Sequence, residues 1–403
     1  MDKKPEKLVP EVRFKGFTDD WEQHKLGEIS FKVNTKNKEN LTLPVLSNSA
    51  EYGIVNQEDY FDKKIANRTD NYYIVKHNDF VYNPRISKKA PYGPIRRNTL
   101  DTKGLMSPLY YVFRINDGNY IYLDYYFKSS KWYKFMYQNG DSGARSDRFA
   151  IKDKIFQMMP ISMPNTKEQN KIGQLIQTLQ KLIDLQQRKL RQLKQLKMVM
   201  LQQLFVDKNN QQPNLRFKKF NGNWELHKLG DVILDYKKKN NNDLLPVLTS
   251  SFQGIEYQEK HFGSKQKHDT SDYNVLPKEY MTYRNRSDNG YFRFNINKLG
   301  IIGIVSKFYP VFTTINTNKQ FLASYLNYNP RLKNYFKVVS VGTSQHVLSL
   351  KNFKKTNLLF PSKSEQDKIG DFFNLLNKII FLQQNKLTQL TTLKKYLLQK
   401  MFI

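Results

Sequence analysis

Two stretches of this chain are written twice. Residues 10–29 read PEVRFKGFTDDWEQHKLGEI; 203 residues further on, residues 213–232 read PNLRFKKFNGNWELHKLGDV, with eleven of the twenty positions identical. Residues 164–205 (PNTKEQNKIGQLIQTLQKLIDLQQRKLRQLKQLKMVMLQQLF) and 361–402 (PSKSEQDKIGDFFNLLNKIIFLQQNKLTQLTTLKKYLLQKMF) agree at 21 of 42 positions without a gap. The 134 residues between the echoes in the first half (30–163) and the 128 in the second (233–360) share little beyond LPVL at 43–46 and 245–248. Each half must therefore build one frame around a different insert. Like frames imply a shared scaffold or docking role, and unlike middles imply two different targets. Faster drift of exposed segments is the plain alternative.

The longer echo is helical by pattern. Ile172, Leu175, Ile176, Leu179, Leu182, Ile183, Leu190, Leu193, Leu196 and Leu204 recur at spacings of three and four, which places them on one helix face. The second copy repeats the stripe with Ile369, Phe372, Phe373, Leu376, Ile379, Ile380, Leu387, Leu390, Leu393 and Leu397. Pro164 and Pro361 mark the starts, and Ser362 or Ser364 is placed to cap the second. Some 40 residues at 1.5 Å each span about 60 Å, too long to bury against one small domain. Antiparallel pairing of the two helices, through Ile172, Leu179, Leu193, Ile369, Leu376 and Leu390, would cover both stripes as a coiled coil with an approximate twofold. Gln186, Gln187, Gln383 and Gln384 interrupt the stripe and are expected to face water or to set the register.

The middles read as mixed α and β. YYVFRI (110–115), FVYN (80–83), GIIGIVSKF (300–308) and YFRFNI (291–296) are rich in β-branched and aromatic residues. YIYLDYYFKSSKWYKFMYQ (120–138) and FLASYLNYNPRLKNYFK (321–337) suggest helices leading to the loops NGDSGARSDRF (139–149) and SVGTSQHVLSL (340–350).

The charge points to a partner. Lys and Arg number 66 against 36 Asp and Glu, a formal net charge of +30, and neutralising phosphates with such a surplus releases condensed counterions. The plain alternative is a lysine-rich surface in a protein from an AT-rich organism. No cysteine is present, which excludes disulfides and thiolate metal sites. The start MDKKPEKLVP has no apolar stretch after its charges, and no run of about 18 apolar residues follows. A soluble, cytoplasmic protein is expected.

Catalytic signatures are missing from the sequence. A methyltransferase would show a Gly-rich loop after its first strand and an Asn-Pro-Pro or Pro-Cys motif; NPR at 83–85 is not one. No GxxxxGK[ST] loop occurs, and the six histidines have no metal-ligand spacing. His24 and His227 hold equivalent positions in the echo, which suits a frame role. Base reading fits better, because Arg pairs with guanine and Asn or Gln with adenine. The first middle offers Ser47, Asn48 and Ser49; Tyr82, Asn83 and Arg85; and Ser142, Arg145, Ser146 and Arg148. The second offers Thr249, Ser250, Ser251 and Gln253; Tyr283, Arg284, Asn285 and Arg286; and Thr343, Ser344, Gln345 and His346. Each group falls at a corresponding place in its half while the residues differ. Turn chemistry is the bland role for a loop Ser or Asn, and a phosphate contact for an Arg.

The two frames, with EQxKIG at 168–173 and 365–370 and the helices that follow, resemble the specificity subunit of type I restriction-modification systems over essentially the whole chain. The resemblance implies a first target recognition domain at 1–163, a first conserved helix at 164–206, a linker at 207–214, a second recognition domain at 215–360 and a second conserved helix at 361–403. The fold class is then α+β: two globular mixed α/β domains separated by two long antiparallel helices, in a pseudo-twofold duplication. It also implies recognition of a bipartite, asymmetric duplex DNA site whose unspecified spacer the helices set. Two modification subunits that hold S-adenosylmethionine and methylate adenine, and restriction subunits that use ATP and Mg, are the implied partners. The chain itself would be non-catalytic, carry no cofactor or metal, and lie in the bacterial cytoplasm on the nucleoid. A non-catalytic coiled-coil scaffold or an RNA-binding protein is the alternative.

Overall fold

The computed structural model describes residues 9–62, 68–141, 147–206, 210–241, 244–264, 269–342 and 345–403. The chain forms two compact units, one of residues 1–187 with 386–403 and one of residues 188–385. Two 38-residue helices, Thr166–Gln203 and Lys363–Lys400, each contribute to both units.

The first unit is built on a four-stranded antiparallel sheet in the order Ser30–Lys32, Tyr111–Ile115, Phe80–Tyr82, Ile95–Arg97. A second sheet orders Gly53–Asn56, Val45–Ser49, Gly104–Met106 and Tyr73–Val75, with Val45–Ser49 parallel to Gly104–Met106. Two helices, Tyr120–Lys128 and Tyr133–Asn139, cover the first sheet. Stacked and edge-on rings of Phe80, Phe113, Phe127 and Phe156 fill the space between. Each such buried ring contributes roughly 1.5–3 kcal/mol.

The second unit repeats this plan with Ile233–Tyr236, Val311–Thr314, Met281–Tyr283 and Phe294–Ile296 in its four-stranded sheet. Its helices are Lys319–Tyr328 and Pro330–Val339. The break between them is chemical: the Asn329 side chain accepts from the N–H groups of Arg331 and Leu332, and Pro330 stands at the first helical position. Here Phe294, Phe312, Phe336 and Phe353 form the aromatic core.

The frames have identical structural duties. Glu22–Lys25 pairs antiparallel with Pro160–Met163, and Glu225–Lys228 with Asn357–Phe360. Each is followed by one helical turn, whose first N–H (Leu26, Leu229) donates to Met159 O or Thr356 O at 2.8 Å. Trp21 and Trp224 are buried beneath. Arg13 makes a bidentate pair with Glu168 at 2.8 and 2.8 Å, and Arg216 with Glu365 at 2.8 and 2.7 Å; both carboxylates are buried. The next residue, Gln169 or Gln366, accepts from the N–H of Asn119 or Asn318 and donates to the carbonyl of Pro164 or Pro361. The EQxKIG motif thus fastens the start of each long helix to the N-cap of a helix in its own unit. Its glycine is required by contact: a Cβ on Gly370 would lie 2.2 Å from Asn318 Oδ1, and one on Gly173 would meet Tyr122 N at 3.2 Å.

The two long helices cover each other's apolar stripes toward their ends, and domain side chains join them there. Ile172 and Leu179 enter the core of the first unit, where Leu397 of the second long helix and Met401 and Phe402 just after it join them and Leu390 packs alongside, half-buried. Ile369 enters the core of the second unit with Leu201, Leu204 and Phe205. Leu376 is buried, whereas Leu193 is half-buried and outside these clusters. Leu175, Leu182, Leu196, Ile379 and Leu393 remain exposed. The ends of each helix are thus also buried by domain aromatics, which a periodicity argument does not contain. Ser362 caps the second long helix through Glu365 N, and Asn165 does so for the first through Glu168 N. Gln383 is buried, which disfavours the water-facing alternative and leaves the register-setting one.

Candidate nucleic-acid interface

In the first unit the described members of the three groups converge. The chain leaving Phe80–Tyr82 pairs with the loop that follows Asn139: Ile86 N–H donates to Asp147 O at 3.0 Å, Phe149 N–H to Pro84 O at 2.8 Å, and Arg85 bridges Arg148. Asn48 and Asn83 tie in the hairpin, Asn48 Nδ2 donating to Val81 O at 2.7 Å and Asn83 Nδ2 to Asn48 O at 2.8 Å. Both amides are buried, so they shape the surface from beneath it. Tyr82 lies in the core on Phe156, its hydroxyl donating to Tyr92 O, and burial raises its pKa. Ser47 is buried, and Ser49 Oγ accepts from the turn N–H groups of Glu51 and Tyr52. Among the described candidates, Arg85, its side chain 72% exposed and its Nε 3.9 Å from Asp147, and the half-buried Arg148 carry charge. Ser142, Arg145 and Ser146 lie outside the described residues.

The second unit has the same layout with other side chains. Arg286–Ser287 pairs antiparallel with His346–Val347. Tyr283 is buried, its hydroxyl donating to Leu348 O at 3.0 Å. Thr249 is buried, with Oγ1 3.4 Å from Tyr309 Oη; Ser250 Oγ accepts from Asn295 at 2.7 Å, and Ser251 Oγ accepts from Gln253 N. Asn285 bonds through its backbone to Phe308 and Leu348. Gln345 Nε2 donates to Asp288 at 3.2 Å, and His346 Nδ1 lies 3.0 Å from Ser340 Oγ. Arg284 and Gln253 are exposed. Thr343 and Ser344 lie outside the described residues.

The candidate readers thus divide into those whose polar groups serve the fold (Asn48, Asn83, Tyr82, Tyr283, Ser250) and those free to face a ligand (Arg85, Arg284, Arg286, Gln253). Supports that sequence reasoning missed hold the hairpins. Arg96 donates to Ala50 O at 2.9 Å, and Asn295, at the equivalent strand position, donates to Ser251 O at 2.8 Å. Burial lowers the Arg96 pKa. Strand register, absent from the local sequence, was the signal needed. Exposed rings also sit at both hairpin tips, Tyr52 and Phe252. Among the described residues no His, Asp and Glu cluster forms a metal site, and no helix is long and apolar enough to cross a membrane.

The family model of the type I restriction modification DNA specificity domain matches residues 18–195 and again residues 221–392. The chain belongs to this family. It carries two such specificity domains in tandem, each with one of the tips described above. Among solved structures, the chain is similar to the S subunit of a type I restriction-modification system from M. genitalium, at 15% identity, with 98% of this chain and 99% of that chain covered and a TM-score of 0.58. It is also similar to the HsdS subunit from Thermoanaerobacter tengcongensis, at 15% identity over 95% of this chain and 96% of that one, with a TM-score of 0.46. No curated protein matches. Family membership accounts for the duplication as two specificity domains, and for the mixed fold with its long helices.

Proposed function

We propose that the chain is the recognition component of a type I restriction-modification assembly, each unit reading one half of a bipartite, asymmetric duplex DNA site. The observation that carries this reading is the repeated specificity domain with like frames and unlike tips: Arg85 and Arg148 on one, Arg284, Arg286 and Gln253 on the other. Two different readers on one chain suit an asymmetric site. The assembly's partners would be two modification subunits that bring S-adenosylmethionine to adenine, with restriction subunits bringing ATP and Mg; the chain itself would supply no catalytic group. It would act in the cytoplasm, on the nucleoid.

The test is single-molecule sequencing of adenine methylation in a host genome with this gene and its modification partner supplied or deleted. A gained bipartite motif with a fixed spacer supports the reading. Active modification subunits without a gene-dependent motif would refute it and favour a scaffold or RNA-binding role.

A further inference from the structure

We propose that Arg286 is a guanine reader, held for that purpose by the ring of Phe308; this rests on the DNA-recognition reading above and extends it to one base. The guanidinium carbon lies 3.8 Å from the Phe308 ring centroid. Stacking of this kind fixes the guanidinium plane and leaves its N–H edge available. The backbone beneath is fixed too: Asn285 N–H donates to Phe308 O at 2.8 Å, Leu348 N–H donates to Asn285 O at 2.9 Å, and Arg286 is in register with Val347. Asp288, two residues along, has Gln345 as its partner at 3.2 Å, and Asp272 pairs with Lys307 at 2.7 Å. A half-buried, oriented fork with no carboxylate partner among the described residues suits guanine, whose O6 and N7 accept two parallel hydrogen bonds in the major groove.

The first unit supplies an internal comparison. Arg85 occupies the same position at the end of the equivalent strand and bridges Arg148 there. At the position of Phe308, in the turn before the next strand, stands Leu109, which has no π face. Arg85 is correspondingly 72% exposed. An exposed arm of that kind suits a phosphate contact, which positions without specifying. One architectural position is therefore a base reader in the second unit and a backbone contact in the first.

The experiment is selection from a randomised duplex DNA library by the full chain in complex with its modification partner, comparing wild type with Arg286→Lys and Phe308→Leu. The wild-type motif should contain a G·C pair at which Arg286→Lys loses about 5- to 150-fold discrimination, the factor one bidentate pair supplies. Phe308→Leu should weaken the same position. All other positions should persist, and the unchanged other half-site reports that the variants are folded. Loss spread evenly over the motif would identify a phosphate contact and overturn the proposal, as would an unchanged motif or loss at an A·T pair. A wild-type complex that enriches no motif would instead remove the DNA-recognition reading, and this inference with it.

Discussion

Tyr328 shows how much of a side chain's chemistry is set by residues distant in sequence. Its hydroxyl accepts from Lys197 at 3.0 Å and Arg293 at 3.1 Å, and both cations also lie over its ring. Burial pushes the phenol pKa up, but the charges of Arg293 and Lys197 and their hydrogen bonds outweigh it and bring the pKa below the ordinary 10. A depressed folded-state pKa means that the folded chain binds fewer protons than the unfolded one in this window. The resulting stability is fully present above pH 10 and is lost as pH falls through the folded pKa. Of the 25 tyrosines, Tyr328 should therefore give tyrosinate absorbance near 295 nm below pH 10, and Tyr328→Phe should delete that early phase. An unchanged titration would contradict the assignment. Asn48 and Asn83 teach the same lesson from the other side. Their residue type suggested base contacts, yet their donors are used by Val81 O and Asn48 O; only the register of the strands reveals that.

At the scale of elements, the repeated motifs act as fasteners between helix and domain. Glu365 is buried and Arg216 largely so. Glu365→Ala would leave a buried cation unpaired and should lower stability by roughly 3–5 kcal/mol, read as a shift of the urea transition of the full chain. Glu168→Ala should do the same in the first unit through Arg13. Gly370→Ala should cost about 1–3 kcal/mol, more than Gly173→Ala, because its Cβ would meet Asn318 Oδ1 at 2.2 Å rather than Tyr122 N at 3.2 Å. Equal effects at the two glycines would mean that Asn318 moves aside freely. Strands were legible where aromatic and β-branched residues cluster, as at Tyr111–Ile115 and Phe80–Tyr82. The partners of Val45–Ser49 were not: that strand pairs in parallel with Gly104–Met106, Val45 opposite Leu105 and Leu46 opposite Met106, residues far apart in the chain.

For the whole molecule, the charge of +30 sets the expected salt response. Binding to duplex DNA should weaken linearly in log salt, with a slope of about −0.9 for each phosphate neutralised. Arg85→Ala should reduce that slope by about one and leave sequence preference unaltered, whereas Arg286→Lys should alter preference and leave the slope unaltered. Exchange of residues 233–360 for the corresponding insert of another family member should replace one half of the methylated motif and leave the other half intact, as read by methylation sequencing. Replacement of both halves would contradict one reader per unit.

The duplication, the long helices and the divergence of the middles were determined by the sequence alone, because repeats and 3.6-residue periodicity are local properties that survive without coordinates. The family resemblance followed from the same repeated residues. Which polar residues stay free for a ligand was decided only by tertiary structure. An Asn beneath a hairpin and an Arg above a ring carry the same letters as any others; burial and strand register commit the first to the fold, and a ring 22 residues away stacks on the second.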